Sequence, residues 1–144
     1  MALARTNSVA FEGVTARIVD VEANVGPGLP GTYIVGLADK AVAESRDRIK
    51  IAAQNSHLPW PKTKIIVSLS PASLRKSGSH FDLPMVLSIL FASDTGTYEE
   101  HVLSTTVFLG ELSLDGAIKP VTGVIPAILA AKQAGFVRVV IPTG

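Results

Sequence analysis

The stretch Ile18-Val19-Asp20-Val21-Glu22-Ala23-Asn24-Val25 decides the first structural question. Val19, Val21, Ala23 and Val25 alternate with Asp20, Glu22 and Asn24, and a period of two predicts a half-buried strand. Just upstream, Val14, Ala16 and Ile18 hold the opposite phase. The switch between Ile18 and Val19 predicts a bulge or bend. Downstream, the Gly/Pro run from Gly26 to Gly31 breaks the strand, and Thr32 to Val35 reads as a short second one.

Working outward, Asp39 is a candidate N-cap for a helix running to about Asn55. Its apolar stripe is Val42, Ile49, Ala52 and Ala53, and Pro59 and Pro61 forbid its continuation. Ile65, Val67 and Leu69 alternate in a strand that Pro71 closes. Leu83 to Ser93 is apolar nearly all round, with Asp82 as a candidate cap and Pro84 in the first turn, which describes a buried helix. Asp94 to Thr106 reads as a polar surface loop. Val107–Leu114 and Ala117–Val121 flank Asp115-Gly116, a hairpin signal. Thr122 is a candidate cap for a last helix, Val124 to Ala134, with Gly135 at the C′ position, and Val137, Val139 and Ile141 form a final strand. The order ββ(β)αβαββαβ is that of a mixed α/β, or α+β, domain.

Composition sets the outer limits. The chain has 144 residues, one domain's worth, and is 47% apolar and 17% charged with a mean hydropathy of +0.39. Those values exclude an intrinsically disordered chain. The absence of cysteine excludes a disulfide scaffold, a thiolate metal site and a cysteine nucleophile. Residues Met1 to Asn7 carry one arginine and no apolar run follows, so no signal peptide is expected. The longest apolar stretch, Leu83 to Ala92, falls short of the ~20 residues of a membrane span. A cytoplasmic domain with no membrane partner is expected.

The net charge of +1 conceals an asymmetry. Residues 40–76 hold eight cationic and two acidic side chains, a net of +6, and the segments on either side are net negative. Within this basic third, Arg46 and Lys50 are like charges at i,i+4, a spacing an isolated helix disfavours and an anionic partner would relieve. Glu44 can offset Arg48 and Asp47 can relieve Lys50. No aromatic residues interleave with these cations in the manner of a base-stacking site. A DNA contact here would be to backbone.

Three other features point to no firm site. Gly26-Pro27-Gly28-Leu29-Pro30-Gly31 fits G-x-G-x-x-G, but Pro30 and a strand-like run follow where a dinucleotide site needs a helix N-terminus. No lysine follows Gly31, so the run is no P-loop either. His57, His80 and His101 lie too far apart for a helical metal pair. Arg75 to Asp82, with Lys76, Ser77 and Ser79, could hold an anion or a serine nucleophile, or be a polar loop.

Six segments together carry a family resemblance. They are Gly28-Leu29-Pro30-Gly31 with Ile34 to Asp39, Glu44-Ser45-Arg46-Asp47-Arg48, Ile66 to Ala72, Phe81-Asp82-Leu83-Pro84, and Leu109-Gly110-Glu111-Leu112-Ser113-Leu114-Asp115-Gly116. In this order the chain resembles the N-terminal, Lon-like and ChlI-type domain of the magnesium-chelatase-like AAA+ ATPases, the ComM competence-protein family. The resemblance implies a ribosomal protein S5 domain 2-like fold, shared with the Lon protease domain and the C-terminal domain of RadA. It places the Lon-type catalytic serine at or near His80 and the lysine at Ile125, and neither residue can do that chemistry.

The resemblance implies a non-catalytic domain, excised from a longer protein. ATP and magnesium are expected only in an AAA+ module beyond this chain. It also implies self-association into a hexameric ring and a role in DNA processing, as in branch migration during natural transformation. The candidate contact residues for DNA backbone or a neighbouring subunit are Arg46, Arg48, Lys50, Lys62, Lys64, Arg75 and Lys76. No catalytic, cofactor-binding or metal-ligating residue is assigned. The alternative is an interaction or oligomerisation domain without nucleic acid. A Ser-Lys peptidase and a chelatase accessory subunit rank below both.

Overall fold

Eight strands and four helices are present among the described residues of a computed structural model, 2–93 and 100–143. In chain order they are β1 (Ala2–Glu12), β2 (Thr15–Gly26), β3 (Gly31–Val35), α1 (Asp39–Asn55), β4 (Lys64–Ser70), a 3₁₀ turn (Ser79–Phe81), α2 (Asp82–Ser93), α3 (Glu100–Ser104), β5 (Thr106–Phe108), β6 (Glu111–Leu112), β7 (Ile118–Lys119), α4 (Val124–Gln133) and β8 (Arg138–Val140). Six strands form a sheet in the order β3-β4-β2-β1-β5-β8, and β6 and β7 make a separate hairpin. β1 with β2 and β2 with β4 are antiparallel, while β3–β4, β1–β5 and β5–β8 are parallel. The domain is mixed α/β, as its element order predicts.

Helices cover the sheet in two patches. Val19, Val21 and Ala23 of β2 share a core with Ile49 and Ala52 of α1 and Met85 and Ile89 of α2. A smaller cluster joins Val9, Val107 and Leu109 to Ala127 and Ala131 of α4, with Ala16 and Ile18 packed against it. This explains the phase switch at Ile18–Val19. The β1–β2 register runs unbroken from Glu12↔Thr15 to Ala2↔Val25, so the expected bulge is absent. One regular strand passes from the α4 cluster into the α1–α2 core, and the buried face changes with the layer that covers it. Val14 lies outside the strand, in the two-residue turn with Gly13, and is exposed.

β1 is a strand that apolar alternation does not announce. Its central residues Thr6, Asn7 and Ser8 are polar yet buried. Each side chain donates to a distant carbonyl: Thr6 Oγ1 to Pro84, Asn7 Nδ2 to Leu103 and Ser8 Oγ to Phe108. Those bonds offset the cost of burying polar groups.

Five other local expectations need correction. α1 is capped by Ala38, with Asp39 as its first residue, and Asp82 opens α2 with its carboxylate engaged elsewhere. The segment Val107–Leu114 is two strands, because the Leu109 N–H still donates to Val140 of β8 while the Gly110 N–H turns to the His80 carbonyl and leads into the β6–β7 hairpin. Gly123, in the left-handed region, caps α4 in place of Thr122. The expected polar loop contains α3, whose Leu103 is buried, and its residues 94–99 lie outside the described residues. The Gly26–Gly31 run joins β2 to β3 with no helix at its end, as its sequence context predicts.

Candidate nucleic-acid interface

α1 carries Arg46 and Lys50 one turn apart, so both project from the same side of the helix. Pro59 and Pro61 end the helical path and send the chain across to β4, which pairs in parallel with β3 from Gly31↔Lys64 onward. That crossing brings Trp60 and Lys62 opposite Arg46 and Lys50. A groove of about 620 Å³ lies between them, lined also by Tyr33, Asp47 and Gln54. Three cations face one carboxylate there, a net of +2. Asp47 Oδ1 stands 3.9 Å from Arg46 Nε with both side chains well exposed, too loose to neutralise it.

Aromatic rings do line this groove, contrary to the expectation from the sequence. Tyr33 is 49% exposed on the edge strand β3, and Trp60 is half-buried with one side against the main core. Lys64 Nζ stands 5.5 Å from the centroid of the Tyr33 ring, within cation–π range. The Gly/Pro run makes this arrangement possible. A Cβ on Gly28 would come within 2.9 Å of the Lys64 side chain, and one on Gly31 within 3.3 Å of the Tyr33 ring. The signal for Tyr33 was a tertiary one, since it lies 13 residues from Arg46 in the chain, whereas Trp60 stands between Lys50 and Lys62, two residues from the latter, and so interleaves with the cations in linear order after all.

The other candidate contact residues separate from this group. Arg48 is committed to Asp82, with Nε to Oδ2 at 2.6 Å and Nη2 to Oδ1 at 3.0 Å. Asp82 also accepts the Leu112 N–H, and Arg48 Nη2 reaches Ser45 Oγ. The Asp82 carboxylate pushes the Arg48 guanidinium above its ordinary pKa. Lys76 is 2% exposed, and its ammonium donates to the Pro71 and Leu74 carbonyls. Desolvation pushes its pKa down. Arg75 lines two other depressions around residues 77–79, away from the groove.

The positions compared with the Lon catalytic pair are also plain. His80 is buried between Phe11 and Phe81, and its Nε2 donates to the Val9 carbonyl at 2.7 Å. Burial lowers its pKa. Ile125 is 72% exposed on α4. Among the described residues no cluster of His, Asp or Glu could hold a metal ion, and no helix is long and apolar enough to cross a membrane.

Residues 21–144 match the family model of subunit ChlI of Mg-chelatase. The chain belongs to this magnesium-chelatase-like family. Within it, the chain is 46% identical over 142 residues to an uncharacterised protein of Mycobacterium tuberculosis, covering 99% of this chain and 28% of that protein. It is 42% identical over 134 residues to the competence protein ComM of Haemophilus influenzae, covering 93% of this chain and 26% of ComM. A 39-residue segment, 27% of this chain, is 54% identical to Lon protease 2 of Bacillus subtilis, of which it covers 7%. The chain thus spans little more than a quarter of the family relatives it matches along nearly its whole length.

Proposed function

We propose that this chain is a non-catalytic, ribosomal protein S5 domain 2-like domain of a ComM-like AAA+ ATPase, and that it contacts DNA backbone during DNA processing. The observation that carries the proposal is the convergence of Arg46, Lys50 and Lys62 on one groove of net positive charge. Cations gathered along a groove, with their acidic neighbours absent or loosely held, suit a chain of phosphates. The Lon-like segment shared with a Bacillus subtilis Lon protease supports the fold. A histidine bonded to Val9 and an exposed isoleucine, where a serine and lysine would be needed, support the non-catalytic role. ATP hydrolysis with magnesium, and assembly into a hexameric ring, belong to an AAA+ module that such a relative would carry outside this domain. A cytoplasmic setting follows from that role.

The test is fluorescence anisotropy of labelled duplex and branched DNA with the 144-residue chain. Weak binding without base preference that declines as salt rises supports the proposal. Absent or salt-insensitive binding contradicts it.

A second reading, assembly without nucleic acid, draws on a different surface. Ile125 and Leu129 of α4 and Val137 ahead of β8 are exposed apolar side chains, and a second copy of this chain would cover them. Under that reading, Ile125→Asp with Leu129→Asp changes the sedimentation profile, and the charge-reversed Arg46→Glu, Lys50→Glu chain shows no change in DNA binding.

A further inference from the structure

We propose that the groove between α1 and the β3–β4 edge takes single-stranded DNA, with Tyr33 and Trp60 stacking on its bases while Arg46, Lys50 and Lys62 hold its phosphates. The inference rests on the DNA-contact proposal above and narrows it to one class of DNA.

A duplex keeps its base faces inside the stack, so a protein that reads only phosphates has no use for aromatic rings among its cations. Here two rings line the same groove as three cations. Proteins that bind single strands without sequence preference use this combination, because every base offers a π-face and the backbone follows a positive channel. The groove is concave and its rings sit on firm supports. Tyr33 lies over the Gly31 backbone on a paired strand, and Trp60 is packed against the core. Both are therefore presented at small cost in side-chain freedom.

Lys64 fits the same scheme. Its ammonium stands over the Tyr33 ring, a place that an incoming base can take. The displaced ammonium sits on a flexible stem and can turn to the phosphate of that nucleotide. One π interaction is exchanged for another, and one further charge is released to the backbone.

The chain contains a single tryptophan, Trp60, so tryptophan fluorescence, excited apart from the tyrosines, reports on this groove. The experiment titrates the 144-residue chain with oligo-dT and with a duplex of the same length at low salt. Fluorescence and anisotropy are both recorded. The expected result is saturable quenching of Trp60 by oligo-dT, tighter binding of oligo-dT than of duplex, and a midpoint that moves upward as salt is added. Tyr33→Ala weakens oligo-dT binding by roughly tenfold and leaves duplex binding unchanged, and Tyr33→Phe restores it. Tyr33→Leu keeps apolar bulk on β3 and replaces the alanine variant if that one unfolds. Equal affinity for both DNAs with no Trp60 quenching overturns the stacking proposal and leaves the backbone proposal standing. No binding of either DNA overturns both.

Discussion

Arg48 on α1 clasps Asp82 at the start of α2 through two hydrogen bonds, at 2.6 and 3.0 Å. The Asp82 side chain has no exposure to solvent, and the same carboxylate accepts the Leu112 N–H from the β6–β7 hairpin. One ion pair therefore ties two helices and the hairpin together. Removing one partner of such a pair leaves a charge buried without compensation, which costs far more than the pair contributes. Arg48→Ala is expected to lower the unfolding free energy by about 3 kcal/mol in urea titration. Its DNA affinity, measured on the folded fraction, is expected to match the unaltered chain, because Arg48 does not reach the groove.

Lys76 calls for the same separation of stability from binding. Its ammonium satisfies two carbonyls of the 71–76 loop. Lys76→Ala is expected to destabilise the fold by about 1–3 kcal/mol, through loss of the hydrogen bonds that a charged donor makes to the Pro71 and Leu74 carbonyls. The salt slope of DNA binding is expected to stay unchanged, since this cation is not offered to solvent. A reduced slope would assign Lys76 to the interface.

His80 makes stability depend on pH. Burial lowers its folded pKa below the unperturbed 6.5, so in the window beneath that value the unfolded chain binds more protons than the folded one. Its contribution is fully present above pH 6.5 and declines as pH falls toward the lowered folded value. Thermal midpoints are expected to drop on acidification from pH 7 to 5.5. His80→Gln keeps a donor near the Val9 carbonyl and cannot titrate, so its midpoint is expected to vary less over that range. An equally steep decline in the variant would place the titrating group elsewhere.

Most of the fold was legible because apolar periodicity reports burial directly. Ile65, Val67 and Leu69 alternate and are buried on β4, and the stripe Ile49, Ala52 and Ala53 is buried on α1. β1 was illegible because its place in the middle of the sheet depends on Thr6, Asn7 and Ser8 finding carbonyls on α2, α3 and β5. A run of polar residues shows no sign of partners about 80 to 100 positions away. The site divides in the same way. The excess of charge in residues 40–76 is visible in linear order. Which cations are free is decided by tertiary structure, as Arg48 and Lys76 demonstrate by turning inward. Tyr33 enters the groove because β3 pairs in parallel with β4 beside α1, and Trp60 because the chain crosses there on its way from α1 to β4.

The most direct measurement is the salt dependence of DNA affinity for the unaltered chain and for the chain carrying Arg46→Glu and Lys50→Glu, with sedimentation run on both. The account predicts an affinity that falls with salt in the unaltered chain, and a log–log slope shallower by about 2 in the variant, near one unit for each phosphate that is no longer neutralised. It also predicts the same sedimentation profile for the two. An unchanged slope, or a changed assembly state with unchanged DNA affinity, would contradict it and assign the groove to contacts between protein chains.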